Sequence, residues 1–198
     1  MTLWSDIAIQ QFLTAIGKDL GPSGIDGELG DKSSDSYSRR AIASFQGDYG
    51  LDQDTVWGEQ CQRKAKEVLT AGIQLTANFN SSELGCGIAV SDDPNAPHDD
   101  DCMNWPDMIN LTALNCLQAT RDRIGPIQVT SGVRCRTYND WLSGSSSESK
   151  HMAGRAFDCN AMGAVDYETL LQIGLECGFT WGYVGDGYVH LQYDGPSF

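Results

Sequence analysis

Apolar residues first recur at helical spacing over residues 7–16, where Ile9, Phe12, Leu13 and Ile16 form one stripe. A run rich in Gly, Pro and Ser around residues 21–30 breaks that period and predicts a loop. A second helix is expected to start near Ser36 and to include Ala41, Ile42 and Phe45, and a third to run from about Glu59 to Leu69. Three short helices with glycine-rich connections predict a small N-terminal helical bundle over residues 1–72, followed by a connector around residues 70–78.

Beyond the connector the period changes. Ile109, Leu111, Leu114 and Leu117 predict a helix over residues 107–123, which Gly125-Pro126 stops before a strand at residues 127–130. Leu170, Leu171 and Ile173 predict a second helix over residues 165–177, with Gly178 as its stop. Strands are expected at residues 155–160, 181–184 and 188–193. The fold class is therefore α+β, with an antiparallel sheet and packed helices in a C-terminal domain over residues 78–198.

The strand over residues 188–193 alternates Tyr188, His190, Gln192 against Val189, Leu191, Tyr193, so one of its faces is polar. His190 lies on that face, and the segment Ser149-Lys150-His151-Met152-Ala153-Gly154-Arg155-Ala156-Phe157-Asp158 supplies a second imidazole and a carboxylate. Gly154 and Ala156 are small enough to let a loop carrying His151 fold back on a strand carrying Asp158. His151, Asp158 and His190 suit zinc, which takes neutral imidazole and carboxylate and, with three protein ligands, keeps a fourth position for a water of pKa ~7. A lone strand histidine is usually a hydrogen-bonded structural residue; here two of the chain's three histidines share the pattern.

With those residues in place, the chain resembles the zinc D-alanyl-D-alanine carboxypeptidases and related endopeptidases that cleave peptidoglycan peptides. The likeness covers roughly residues 78–194 and includes Phe79-Asn80-Ser81-Ser82-Glu83-Leu84 and Val129-Thr130-Ser131-Gly132-Val133-Arg134-Cys135-Arg136-Thr137-Tyr138-Asn139. The resemblance implies that His151, Asp158 and His190 bind Zn2+, that Arg134 holds a substrate carboxylate or carbonyl, and that Ser149 supports the site. One position departs from it: many members carry an acid three residues before the last histidine, and this chain has Gly187 there. Asp186 is the nearest carboxylate and the candidate general base, flanked by Gly185 and Gly187 in what is also a common turn composition; Glu148 is the alternative acid.

The N-terminal segment resembles the peptidoglycan-binding domain of cell-wall hydrolases. The residues concerned are Ile25-Asp26-Gly27-Glu28-Leu29-Gly30, Arg40-Ala41-Ile42-Ala43-Ser44-Phe45-Gln46, Gly50-Leu51-Asp52 and Val56-Trp57-Gly58. The second loop lacks the expected Asp-Gly, having Asp54-Thr55 instead. Asp26 and Gly27 are expected to make a turn and Phe45 to be core, while Tyr49 and Trp57 are the candidates for a substrate-facing surface, because aromatic faces stack on apolar faces of sugar and peptide.

Composition narrows the partners. A net charge of -14 opposes nucleic acid, whose binding needs clustered Lys and Arg, and adsorption to anionic lipid. No apolar run approaches the length of a membrane span, and residues 1–6 show no basic start leading into an apolar signal region, so no membrane insertion is expected; a monomer is expected as well. The resemblance and the missing signal together fit a bacteriophage lysis enzyme, a particle-borne wall-opening enzyme or a bacterial protein exported by another route. The acidic stretch over residues 92–101 does not follow the usual calcium-loop spacing and is expected to be a solvated insertion with His98 exposed. Seven cysteines are present without Cys-x2-Cys spacing; Cys116 and Cys177 fit apolar helix positions, and Cys86, Cys102 and Cys135 leave several pairings open. Two functions remain: a zinc peptidase anchored on peptidoglycan, or a wall-binding or virion structural protein that keeps the metal without hydrolysis.

Overall fold

The computed structural model describes residues 2–89, 91, 93, 95–163 and 165–196. Met1, Ser197 and Phe198 at the ends of the two expected domains, and Asp92 and Pro94 of the acidic stretch, lie outside the described residues. The chain is α+β: six α-helices accompany a four-stranded antiparallel sheet of order β1-β2-β4-β3 among the described residues.

The first three helices are α1 (Asp6–Ala15), α2 (Tyr37–Asp48) and α3 (Glu59–Ala71). Ser5 and Ser36 cap the first two, their hydroxyls accepting the backbone N–H of Ala8 and Arg39 at 3.2 Å each. Phe12 meets Phe45 edge-on at 5.4 Å between centroids, and Trp57 stacks on Phe45 at 5.3 Å. Trp57 therefore does not present a surface for substrate: it is 5% exposed and its Nε1–H donates to Gln62 Oε1 at 2.9 Å. The core needs its apolar area, and Gln62 satisfies its one donor. Tyr49 packs one edge on Phe45 and stays exposed.

Two glutamines build two similar loops. Gln10 Nε2 donates to Asp26 Oδ1 at 2.8 Å while its Oε1 accepts from Gly27 N at 2.7 Å. Gln46 repeats this, donating to Asp54 Oδ1 at 2.7 Å and accepting from Thr55 N at 3.0 Å. Gly27 has φ +80° and Thr55 has φ +63°, so the second loop makes the turn without the Asp-Gly pair and holds a β-branched residue in the left-handed region.

The remaining helices are α4 (Leu111–Ile124), α5 (Arg136–Trp141) and α6 (Tyr167–Glu176), and the strands are β1 (Ile127–Ser131), β2 (Ala156–Ala161), β3 (Trp181–Val184) and β4 (Val189–Gln192). α4 starts four residues later than its apolar period implies, because Asn110 accepts the Ala113 N–H at 2.9 Å and caps the helix there. Met108 and Ile109 are buried but precede the helix. α5 was not foreshadowed by the apolar pattern; its N-cap is Cys135, whose sulfur accepts the Tyr138 N–H.

α6 packs on the sheet through the apolar residues of β4, with Gly174 placed directly over Leu191. Strand alternation then turns Asp158 and His190 to the opposite face. One set of buried apolar side chains continues from Trp4 and Leu69 through Phe79 to Leu191, so the helical segment and the sheet share a core. Polar contacts reinforce it: Leu111 N donates to Gln11 Oε1 at 3.0 Å and the buried Lys66 ammonium donates to Asp101 O at 2.6 Å. No helix among the described residues is long and apolar enough to cross a membrane. All seven cysteines are free thiols.

Candidate metal centre

β2 and β4 pair with Asp158 directly opposite His190, and β3 and β4 pair with Tyr183 opposite the same histidine. An irregularity in β1 between Val129 and Ser131 brings Ser131 opposite Asp158. His151 comes from a 3-10 turn at Lys150–Ala153 that ends on Gly154 at φ +63°. That left-handed residue reverses the chain into β2, as the small residues of the segment imply.

The three side chains converge on one another. His190 Nδ1 lies 2.8 Å from Asp158 Oδ1, His151 Nε2 lies 3.3 Å from the same oxygen, and the two imidazole nitrogens are 3.3 Å apart. Nitrogen and oxygen ligands around a tetrahedral zinc would be ~3.4 Å apart, given bonds of ~2.0–2.2 Å, so the donor set fits that ion with little adjustment. All three residues are buried. His151 Nδ1 donates to Gly132 O at 2.7 Å, which leaves Nε2 its lone pair. His190 Nε2 lies 3.3 Å from Gln192 Oε1 and plays the equivalent part by donating to it, leaving Nδ1 to the site.

Gly132 can be nothing larger. A Cβ there would lie 2.1 Å from Leu84 O, so the strand exit carrying the His151 acceptor runs against the backbone of the segment after Phe79.

Electrostatics keep Asp158 and His151 in their binding forms. Burial pushes the Asp158 carboxyl up, but the imidazoles of His151 and His190 and the Arg134 guanidinium outweigh it and hold the group well below the usual carboxylate range. Burial lowers the His151 pKa, so its imidazole is neutral at neutral pH. The Arg134 guanidinium pairs with Asp158 Oδ2, and its Nε donates to Ser131 Oγ at 3.0 Å.

The triad opens into a cleft of about 1000 Å³. Arg134, Glu148, Ser149 and Asp186 line it together with the triad. Asp186 sits exposed at the tip of the β3–β4 turn, which Gly185 N closes on Tyr188 O at 2.8 Å and where Gly187 has φ +83°. Tyr49 and Trp57 do not line this cleft. Sequence reasoning placed Trp181 and Tyr183 only in a strand; Tyr183 stacks on His190 at 5.0 Å between centroids and Trp181 meets it edge-on at 5.7 Å. Their shared parity within β3 was the signal, because alternate residues of a strand flanking a ligand strand face the same side.

A family model described as Peptidase M15 matches residues 77–192, more than half of the chain. The chain belongs to the peptidase M15 family, whose members are zinc-dependent peptidases. The matched span contains the whole triad and ends at Gln192, the partner of His190. A search of curated proteins gave no match.

Proposed function

We propose that this protein is a zinc-dependent peptidoglycan hydrolase that cuts an amide bond in the stem peptide or cross-bridge of the bacterial wall. The observation that carries the reading is the convergence of His151 Nε2, His190 Nδ1 and Asp158 Oδ1 at one end of an open cleft. These residues would hold the metal. Zinc, when bound, supplies Lewis-acid polarisation of a carbonyl and a water that ionises near pH ~7.

The chain's own residues do the rest. Arg134 lies beside the ligand carboxylate and lines the cleft, so it can take a substrate carboxylate or carbonyl by charge-assisted hydrogen bonds. Ser149 lines the same wall next to the turn that carries His151. Trp181 and Tyr183 wall off His190 from solvent on the β3 side. Asp186 serves as general base, reaching in from the rim on a turn whose two glycines let it move. The N-terminal segment anchors the chain on peptidoglycan, with exposed Tyr49 as part of the contact surface.

The test is digestion of purified peptidoglycan with the full chain and mass-spectrometric identification of the new amino and carboxyl termini. Release of peptide termini by wild type, absent from His151→Ala, supports the reading. Asp186→Asn should keep zinc and fold and lose on the order of a hundredfold in turnover, within the ~10²–10⁴ that positioned acid-base catalysis contributes. Zinc-loaded wild type that releases no termini from any wall type would leave the chain a wall-binding or virion structural protein. Activity unchanged in Asp186→Asn would move the base to Glu148.

A further inference from the structure

The acidic stretch is not a free, solvated insertion. His98 is half-buried, with its Nδ1 3.3 Å from Cys86 Sγ and 3.6 Å from Cys135 Sγ, and Cys102 joins them. The four donor atoms all lie within 4.8 Å of one another, and the three cysteines are buried. They come from separate places: a turn after Phe79, two points of an acidic loop, and the N-cap of α5.

We propose that Cys86, His98, Cys102 and Cys135 form a second, structural zinc site. Around a tetrahedral zinc with bonds of ~2.3 Å to sulfur and ~2.0–2.1 Å to nitrogen, sulfur and nitrogen lie ~3.6 Å apart, close to both separations seen here. Four protein ligands close the coordination sphere and leave no position for a reacting water, which separates this site from the open triad.

Two further features point the same way. Backbone N–H groups are aimed at the sulfurs, Cys135 N at Cys86 Sγ (3.2 Å), and Asp99 N (3.5 Å) and Tyr138 N (3.4 Å) at Cys135 Sγ. Such donors stabilise thiolates, the form in which cysteine binds zinc; the thiol protons leave as the metal enters. Gly87, at φ +75°, lets the His98 ring lie on the backbone, since a Cβ there would sit 2.9 Å from Nε2. The ring is thereby placed with Nδ1 towards the sulfurs.

The consequence is mechanical. Among the described residues the loop has little apolar area to hold it, Ala96 and the cysteines packing with Tyr138 and Leu142. Ordering such a segment costs roughly 1–2 kcal/mol per residue in backbone entropy, so a bound ion is an effective clasp. The clasp fixes Cys135, which lies between Arg134 and Tyr138 in the chain, and those two residues line the cleft.

The experiment uses the full chain with His190→Ala, which breaks the triad and leaves this site intact. Purified under reductant and loaded with cobalt, it should bind one metal ion per chain and show the thiolate-to-cobalt charge-transfer absorption of a tetrahedral sulfur site. Wild type should hold twice as much metal, and Cys102→Ser should lose the charge-transfer band. His98→Cys should keep it, which answers the objection that Cys102→Ser has merely failed to fold. A His190→Ala chain without the sulfur band overturns the proposal, as does a disulfide among Cys86, Cys102 and Cys135 found by alkylation and mass spectrometry. The sulfur band in a wild type that holds a single metal ion supports this site and removes the catalytic one, so the two readings fail separately.

Discussion

Gly154 controls where His151 stands, and Gly154→Ala tests that dependence. Two costs act at this position. Its φ of +63° lies in the left-handed region, where an L-residue loses about 1–2 kcal/mol. A Cβ would also lie 2.4 Å from Met108 O and 2.9 Å from Ile109 Cα, both backbone atoms that cannot rotate away. Relieving them requires a backbone shift of about 1 Å, and overpacking of this kind costs about 1–3 kcal/mol. Alanine returns about 0.4–1 kcal/mol by restricting the unfolded chain, so the net loss is about 3 kcal/mol. With a urea m-value of about 2 kcal/mol/M, the unfolding midpoint should fall by about 1.5 M. Two controls divide the sum: Gly17→Ala, at φ +77° with nothing within 4 Å, should show the conformational cost alone, and Gly132→Ala, whose Cβ would meet Leu84 O at 2.1 Å, should show the steric cost. Gly154→Ala should also weaken zinc binding, because the Gly154 N–H closes the turn on His151 O at 3.1 Å. Equal midpoints for Gly154→Ala and Gly17→Ala would refute the steric argument.

Asp107 is pushed up to about 6 by burial, against about 3.9 when unfolded. The folded state therefore binds more protons between those values, and stability falls as pH rises from about 4 to about 6. Asp107→Asn keeps an acceptor for the Met108 N–H and should flatten that decline, raising the melting temperature at pH 7.5 but not at pH 3.5. A melting temperature unchanged at pH 7.5 would count against a buried charge there. Arg134→Ala should retain zinc, since His151 Nε2, His190 Nδ1 and Asp158 Oδ1 still converge without it, while kcat/KM on wall peptides falls about 10–100-fold, the worth of a hydrogen bond to a charged group. Loss of zinc together with activity would make Arg134 a support of the ligand rather than a contact to substrate.

Among the described residues the apolar period located five of the six helices and all four strands, because each of those elements has one face to bury. It failed where a single polar atom decided the boundary, as at Asn110, and where a short helix began on a cysteine, as at Cys135. Trp57 was read as a surface aromatic because nothing in a linear pattern says that Phe12, Phe45 and Trp4 close around it.

His151, Asp158 and His190 were legible as a set because metal ligands are rare residue types, and two of the three lie seven positions apart across a glycine turn. Their distances were not: β2 and β4 must pair in one register to put Asp158 opposite His190, and register is set by the apolar faces of both strands against α6. Cys86, His98, Cys102 and Cys135 show the limit more sharply. Their spacing in the chain follows no metal motif, and they meet where the exit of β1 passes against Leu84, Val133 N donating to Leu84 O at 2.8 Å, and where Cys86 N donates to Asn104 O at 2.7 Å. Residue type and local period are properties of the chain, whereas a site assembled from distant segments exists only once packing has brought those segments together.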